Sequence, residues 1–164
     1  MNYLVTGGCG FLGSYVVSNL LSENEDVVIY DLITNTELME ELFRMRNIEK
    51  RPDIYQGDIT DSHKLFNVIN ENSIDKIIHL ASPLKPDCEE NPWQGLQAAT
   101  GGTISIFEAA KMFDVERVVW ASSVTVFGPP SMYSDTPIPN DAPHYPQSNY
   151  CAYKSLNERL ANNY

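Results

Sequence analysis

The chain has 164 residues, a size that buries one proper core, and its 43% apolar and 20% charged residues are those of an ordinary globular protein. Its formal net charge of −11, with 11 scattered Lys and Arg, excludes the basic patch that nucleic acid or an anionic membrane surface requires. No apolar run reaches the length of a membrane span, and Met1 leads straight into a strand-like run without a basic leader, so no signal peptide is expected.

Taken in chain order, short β-rich runs alternate with segments of helical period. Tyr3 to Thr6 is the first expected strand, and Leu12 to Leu21 carries apolar residues along one helix face. Val27 to Tyr30 is the second strand, ended by Asp31. Leu38 to Ile48 follows as an amphipathic helix, with Leu38, Leu42, Met45 and Ile48 as its expected apolar face. Ile54 to Gln56 is a short third strand, and Thr60 or Asp61 can cap a helix bearing Leu65, Phe66, Val68 and Ile69. Lys76 to Leu80 and Val118 to Ala121 are the fourth and fifth strands. Between them a long helix is expected from about 92 to 113, weakened at Gly101-Gly102. Residues 128–146 hold six of the ten prolines and read as a loop, and a last helix starts near Ser148 or Asn149. Strand–helix alternation over the whole length predicts one α/β domain, 1–164. It is a Rossmann-type doubly wound parallel sheet with helices on both faces and strand order 3-2-1-4-5.

Two features carry chemistry by position. Thr6-Gly7-Gly8-Cys9-Gly10-Phe11-Leu12-Gly13 leaves the first strand and opens the first helix, placing glycines at every third position. A dinucleotide needs this: a tight turn, close backbone approach to the pyrophosphate, and helix N-terminal N–H groups aimed at the phosphates. Asp31, at the end of the second strand, can accept the ribose hydroxyls of NAD and would repel the extra phosphate of NADP. No Arg follows closely to receive that phosphate, which selects NAD. Cys9, Cys88 and Cys151 lie far apart without metal-ligand spacing and read as free thiols in a reducing cytoplasm, and no metal site is expected.

The order and spacing of five motifs resemble the extended short-chain dehydrogenase/reductase family, of the NAD-dependent epimerase/dehydratase type. They are the TGxxGxxG loop at 6–13, Gly57-Asp58-Ile59-Thr60, His79-Leu80-Ala81-Ser82, Ala121 to Gly128 with Ser122 and Ser123, and Tyr150-x-x-x-Lys154. The resemblance implies a cofactor site of Gly7, Gly10, Phe11, Leu12, Gly13, Asp31, Asp58, Ile59, Leu80, Ala81, Ser82 and Ser122, joined by Tyr150 and Lys154. It implies catalytic roles for Ser123, Tyr150 and Lys154: Ser123 bonds the substrate oxygen, Tyr150 exchanges its proton, and Lys154 holds the nicotinamide ribose. Tyr150 and Lys154 are four apart, one turn on the same helix face, and a neighbouring ammonium favours a phenolate.

The activity implied is oxidation of a carbinol on a sugar nucleotide or similar ketone or alcohol, in the cytoplasm. Dimerisation would run through helices 92–113 and 149–164. The alternative is a non-catalytic NAD-binding module or an inactive fragment of such an enzyme. Family members are longer, with a C-terminal substrate region, so the cofactor-binding part is what the resemblance covers. Ala99 stands where the family carries Asn, in Ala99-Thr100-Gly101-Gly102-Thr103 for Asn-Val-x-Gly-Thr. His79 is expected to be a packed strand-end residue, His63 and His144 solvated surface residues, and Glu158 a helix-surface partner of Lys154 or Arg159.

Overall fold

Five short strands, β1 (Asn2–Thr6), β2 (Asp26–Asp31), β3 (Asp53–Gln56), β4 (Lys76–His79) and β5 (Arg117–Trp120), form one parallel sheet in the order β3-β2-β1-β4-β5. The computed structural model describes residues 1–134 and 137–164, so positions 135 and 136 of the Pro-rich loop lie outside the described residues. Contacts divide the chain into two compact units, residues 1–82 with 105–121, and residues 83–104 with 122–164.

The first unit holds the whole sheet. Parallel strands buried on both faces read as continuous β-branched runs, and Val27-Val28-Ile29-Tyr30 is one. Alternation sends Val5, Val27 and Ile29 to one face, where they pack with Val17 and Leu21 of α1 (Phe11–Ser22) and Met39 and Phe43 of α2 (Glu37–Arg46). The other face faces α3 (Ser62–Glu71), which buries Leu65, Val68 and Ile69. Asp61 caps α3 by accepting from the Lys64 N–H at 3.0 Å, one of the two candidates for that cap. In α2 the buried face differs from the expected one. Met39, Leu42 and Phe43 are buried, Met45 is exposed, and Ile48 is buried only after the helix has ended. Asn47 ends it in the left-handed conformation (φ 54°), so Ile48 returns to the core from a different direction.

The second unit is helical. The stretch expected as one helix from 92 to 113 is α5 (Pro92–Leu96), a five-residue π segment (Gln97–Gly101) and α6 (Gly102–Met112), the last of which continues into the first unit. A π turn breaks the regular i→i+4 ladder. Within it the Ala99 carbonyl accepts from Thr103 Oγ1 at 2.7 Å and from Asn157 Nδ2 at 2.9 Å. A short helix α4 (Lys85–Glu90) precedes it, which the Pro-bearing sequence does not announce. The final helix α7 (Asn149–Ala161) begins where expected, with Ser148 Oγ accepting from the Cys151 N–H. Among its described residues the Pro-rich loop forms a 3-10 turn, Pro130–Met132. Among the described residues no helix is long and apolar enough to cross a membrane.

Candidate active site

β1 lies between β2 and β4, so the crossovers leave it in opposite directions and open a crevice at its carboxyl end. The glycine loop occupies that end. Gly7 sits at φ +71°, donates its N–H to the Tyr30 carbonyl at 3.0 Å, and has room for no Cβ, which would lie 2.8 Å from the Ala81 nitrogen. At Gly13 a Cβ would overlap the Gly7 carbonyl and the Gly8 backbone, so glycine there lets α1 pack onto the loop. Gly10 is the N-cap of α1, with no side chain bonded across that terminus, and its outward side is open apart from the Gly7 carbonyl. Phe11 and Leu12, 74% and 56% exposed, flank it. An uncapped helix N-terminus behind a glycine-rich loop suits a pyrophosphate.

Asp31 closes β2 beside this loop. Its Oδ2 accepts the Cys9 N–H at 2.8 Å and its Oδ1 the Ile33 N–H at 3.2 Å. Each oxygen retains a second lone pair, which is the capacity a ribose diol needs. Burial, with the Asp31 carboxylate adding to it, pushes the Cys9 thiol up to about 11, so it stays protonated at neutral pH. At the end of β3 the Asp58 carboxylate accepts from Thr60 N and Oγ1 at 2.9 and 2.8 Å, an Asx turn, while the Asp58 carbonyl receives the Tyr30 hydroxyl. Ile59 is buried. Leu80, Ala81 and Ser82 continue from β4, with the Leu80 N–H on the Thr6 carbonyl and the Ala81 N–H on Thr6 Oγ1. His79 is buried with Nδ1 2.6 Å from Thr6 Oγ1, the packed strand-end residue expected.

Ser122, Ser123, Tyr150 and Lys154 belong to the second unit. Ser123 caps a 3-10 turn, Val124–Phe127, and its Oγ lies 2.8 Å from Thr125 Oγ1. The Ser148 hydroxyl bonds the Cys151 thiol at 2.9 Å in the first turn of α7 beside Tyr150, and the Thr125 hydroxyl of the 3-10 turn faces the same thiol. Burial raises the Cys151 thiol, but these hydrogen bonds outweigh it and hold the group below the ordinary thiol range. Lys154 packs over Tyr150, with Nζ 5.8 Å from the ring centroid, and is only 6% exposed. Burial lowers its ammonium below the usual lysine range, partly offset by the Cys88 thiol. The sequence places Tyr150 and Lys154 on one face, and the structure puts them in contact. Neighbouring Tyr153 is structural, its hydroxyl donating to the Pro92 carbonyl at 2.8 Å.

Several contributors escape the sequence. Glu89 of α4 accepts from Asn149 Nδ2 at 3.1 Å and from the Tyr150 N–H at 3.3 Å, so it holds the start of α7. The motif gives no hint of it because α4 is short and separated by 60 residues. Two expectations are corrected. His144 is not a solvated residue: its side chain is 11% exposed, with Nδ1 on Ser155 Oγ at 2.8 Å and Nε2 on Glu158 at 3.4 Å. Glu158, expected as a helix-surface partner of Lys154 or Arg159, is seen to pair with His144 and to accept the Ser122 hydroxyl. His63 is exposed, as expected, against Asn67.

A family profile described as GDP-mannose 4,6 dehydratase matches residues 4–164, nearly the whole chain. The chain belongs to the extended short-chain dehydrogenase/reductase family. UDP-glucose 4-epimerases from Lacticaseibacillus casei and Neisseria meningitidis serogroup B are 33% and 36% identical to it over 162 residues, 98% and 96% of this chain and 46% of each relative. Among solved structures, UDP-glucose-4-epimerase from Stenotrophomonas maltophila with bound NAD and formylated UDP-arabinopyranose superposes with a TM-score of 0.88 at 27% identity, over 99% of this chain and 48% of that one. The Bifidobacterium longum enzyme, in complex with NAD+ and UDP, gives 0.87 at 25% identity, over 99% and 48%. The chain thus spans about half the length of the relatives it matches.

Proposed function

We propose that this chain is the NAD-binding, proton-transferring part of a sugar-nucleotide epimerase or dehydratase. The observation that carries the reading is Lys154 buried against Tyr150 on one turn of α7, in a family whose relatives are UDP-glucose 4-epimerases. Gly7, Gly10 and Gly13 would line the pyrophosphate, with Phe11 and Leu12 at the loop's rim. Asp31 would hold the adenosine ribose and select NAD against NADP. Asp58 and Ile59 would border the adenine, and Leu80, Ala81, Ser82 and Ser122 the phosphates and nicotinamide ribose. NAD supplies the hydride-accepting ring when bound.

The chain's own groups then handle the proton. Tyr150 takes the proton of the substrate hydroxyl as general base and returns it as general acid. Lys154 favours the phenolate by its charge and bonds the ribose. Ser123 donates a hydrogen bond to the substrate oxygen, and its contact with Thr125 orients that hydroxyl. The substrate class follows the relatives: a carbinol on a UDP-linked or similar sugar nucleotide, with other ketones or alcohols as the wider class. A homodimer through the helices at 92–113 and 149–164 is part of the same reading, and exposed Trp93, Met112 and Leu156 on those helices support it.

A non-catalytic NAD module is the competing reading, favoured by the half-length match. The two separate on Tyr150→Phe and Lys154→Met, assayed with NAD and UDP-glucose for conversion at C4. The enzyme reading expects conversion that Tyr150→Phe abolishes while NAD binding persists. Conversion that survives Tyr150→Phe unchanged would remove Tyr150 from the chemistry, and NAD binding with no conversion in any form would favour the module.

A further inference from the structure

Glu158 stands one helical turn beyond Lys154, and its two carboxylate oxygens serve different segments. Oε1 accepts the hydroxyl of Ser122, the residue before Ser123. Oε2 lies 3.4 Å from Nε2 of His144, a residue of the Pro-rich loop. His144 meets Ser155 through Nδ1 at 2.8 Å, and its ring packs edge-on against Phe127 at 5.3 Å between centroids. A carboxylate only accepts, so in the neutral ring Nε2 carries the proton toward Glu158 and Nδ1 accepts from the Ser155 hydroxyl. The result is a run of polar contacts, Ser122–Glu158–His144–Ser155, with hydrogen bonds at both ends and a 3.4 Å contact in the middle, that starts beside one proposed catalytic residue and ends beside another.

An exposed polar contact would contribute little, about 0–1 kcal/mol. This one is sheltered, with the His144 side chain 11% and Glu158 33% exposed, and each partner holds a hydrogen bond of its own. Its geometry also complements the other tie between the same pieces. The Ser123 turn also packs on α7 near Cys151, where the Thr125 hydroxyl faces the thiol. Glu158 fastens Ser122 seven residues further along the helix, about 10 Å away at 1.5 Å per residue. One tie leaves the turn free to pivot on the helix; two ties at that separation fix its orientation.

We infer that Glu158 is a positioning residue, clamped between Ser122 and His144, that fixes the Ser122–Ser123 turn and the Pro-rich loop on the helix carrying Tyr150 and Lys154. The inference rests on the roles proposed above for those residues, but its structural half is tested apart from them.

The test is amide hydrogen exchange by NMR on the 164-residue chain, with imidazole nitrogen shifts of His144. The reporters are the Val126 and Gly128 amides, bonded to the Ser123 and Thr125 carbonyls, and the Tyr145 amide, bonded to Val126. Glu158→Ala is expected to speed their exchange by about tenfold or more, while the sheet amides of Val5 and Ile29 stay within about twofold of wild type. Glu158→Gln keeps an acceptor for Ser122 and offers a donor to the ring, so it restores slow exchange and moves the His144 proton to Nδ1. Where conversion is measurable, Glu158→Ala lowers kcat, and Glu158→Gln recovers it. Should Glu158→Ala not fold, Ser122→Ala cuts the same tie from its other end.

Reporter amides within about twofold of wild type in Glu158→Ala or Ser122→Ala would overturn the inference, as would equal acceleration of the sheet amides, which would make Glu158 a general stabiliser. Failure of the enzyme reading shows elsewhere, as conversion insensitive to Tyr150→Phe, and leaves the exchange result untouched.

Discussion

The Cys9 N–H donates to Asp31 Oδ2 at 2.8 Å, so the glycine loop is tied to the end of β2 by the carboxylate proposed to hold the ribose. One side chain therefore sets the loop's shape and its chemistry. Asp31→Asn keeps the shape but presents a weaker acceptor and a donor. It should weaken NAD by about 1–2 kcal/mol, roughly 5- to 30-fold in Kd, the difference expected between charged and neutral hydrogen bonds. Calorimetric titration of the variant and the wild type checks this, and equal affinities would detach Asp31 from the ribose.

The glycines of the loop and of the long helix should respond in opposite directions. At Gly13 a Cβ would overlap the Gly7 carbonyl and Gly8 backbone, which neither side can yield without opening the loop. Gly13→Ala should cost about 1–3 kcal/mol as overpacking. At Gly101 a Cβ meets nothing within 4 Å. Gly101→Ala should stabilise the chain by about 0.5–1 kcal/mol, the ordinary helical gain over glycine. Urea unfolding of the two variants decides both.

Thr100 is buried at the π segment, and its hydroxyl finds no hydrogen-bond partner among the described residues. A valine there has the same shape without the desolvated oxygen. Thr100→Val should raise stability by about 1–2 kcal/mol, read as a higher urea midpoint at unchanged slope.

Alkaline pH should erode stability through Cys9. The native thiol is raised from 9.0 to about 11, chiefly by burial and then by Asp31, so the folded chain keeps a proton that the unfolded chain releases. That contribution is complete below pH 9 and is lost as pH rises from 9 toward 11. Tyr30 adds to the loss at higher pH, its phenol pushed to about 12 by burial and by Asp61 and Asp58. Lys154 acts in the opposite sense: its depressed native value means the unfolded chain binds the proton better, so its contribution grows as pH rises toward 10.5. Cys9→Ala should flatten the fall between pH 9 and 11 in thermal unfolding. Alkylation of Cys9 in the wild type should keep accelerating through pH 9, where a free thiol levels off.

What the sequence discloses and what it withholds divide along a physical line. The strands, the glycine loop and Asp31 are legible because each is local: a β-branched run, a glycine-rich turn, an acid at a strand end; the strand order then follows from their alternation with helices. Tyr150 and Lys154 are legible because helical spacing alone places them together, and the Asp61 cap because its neighbours are a few residues away. The buried face of α2 is not, since Met39 and Phe43 share the helical period with Leu38 and Met45, and only packing against Val5 and Ile29 chooses between them. Nor are Glu89, His144 and Glu158. Their partners come from loops and a short helix tens of residues distant, and no period or spacing connects Glu158 to Ser122. His144 looks like a surface histidine in a Pro-rich loop until Ser155 and Glu158 close around it.

The loop at 6–13 and Asp31 are proposed to form an NAD site with no place for an added ribose phosphate. Thermal unfolding of the chain with NAD and with NADP tests it most directly. At about 100 times Kd, NAD should stabilise by roughly 2.7 kcal/mol, a Tm rise of roughly 5–10 °C for a chain of this size. NADP at the same concentration should give little. An equal rise with both would contradict the role of Asp31, and no rise with either would contradict the site itself.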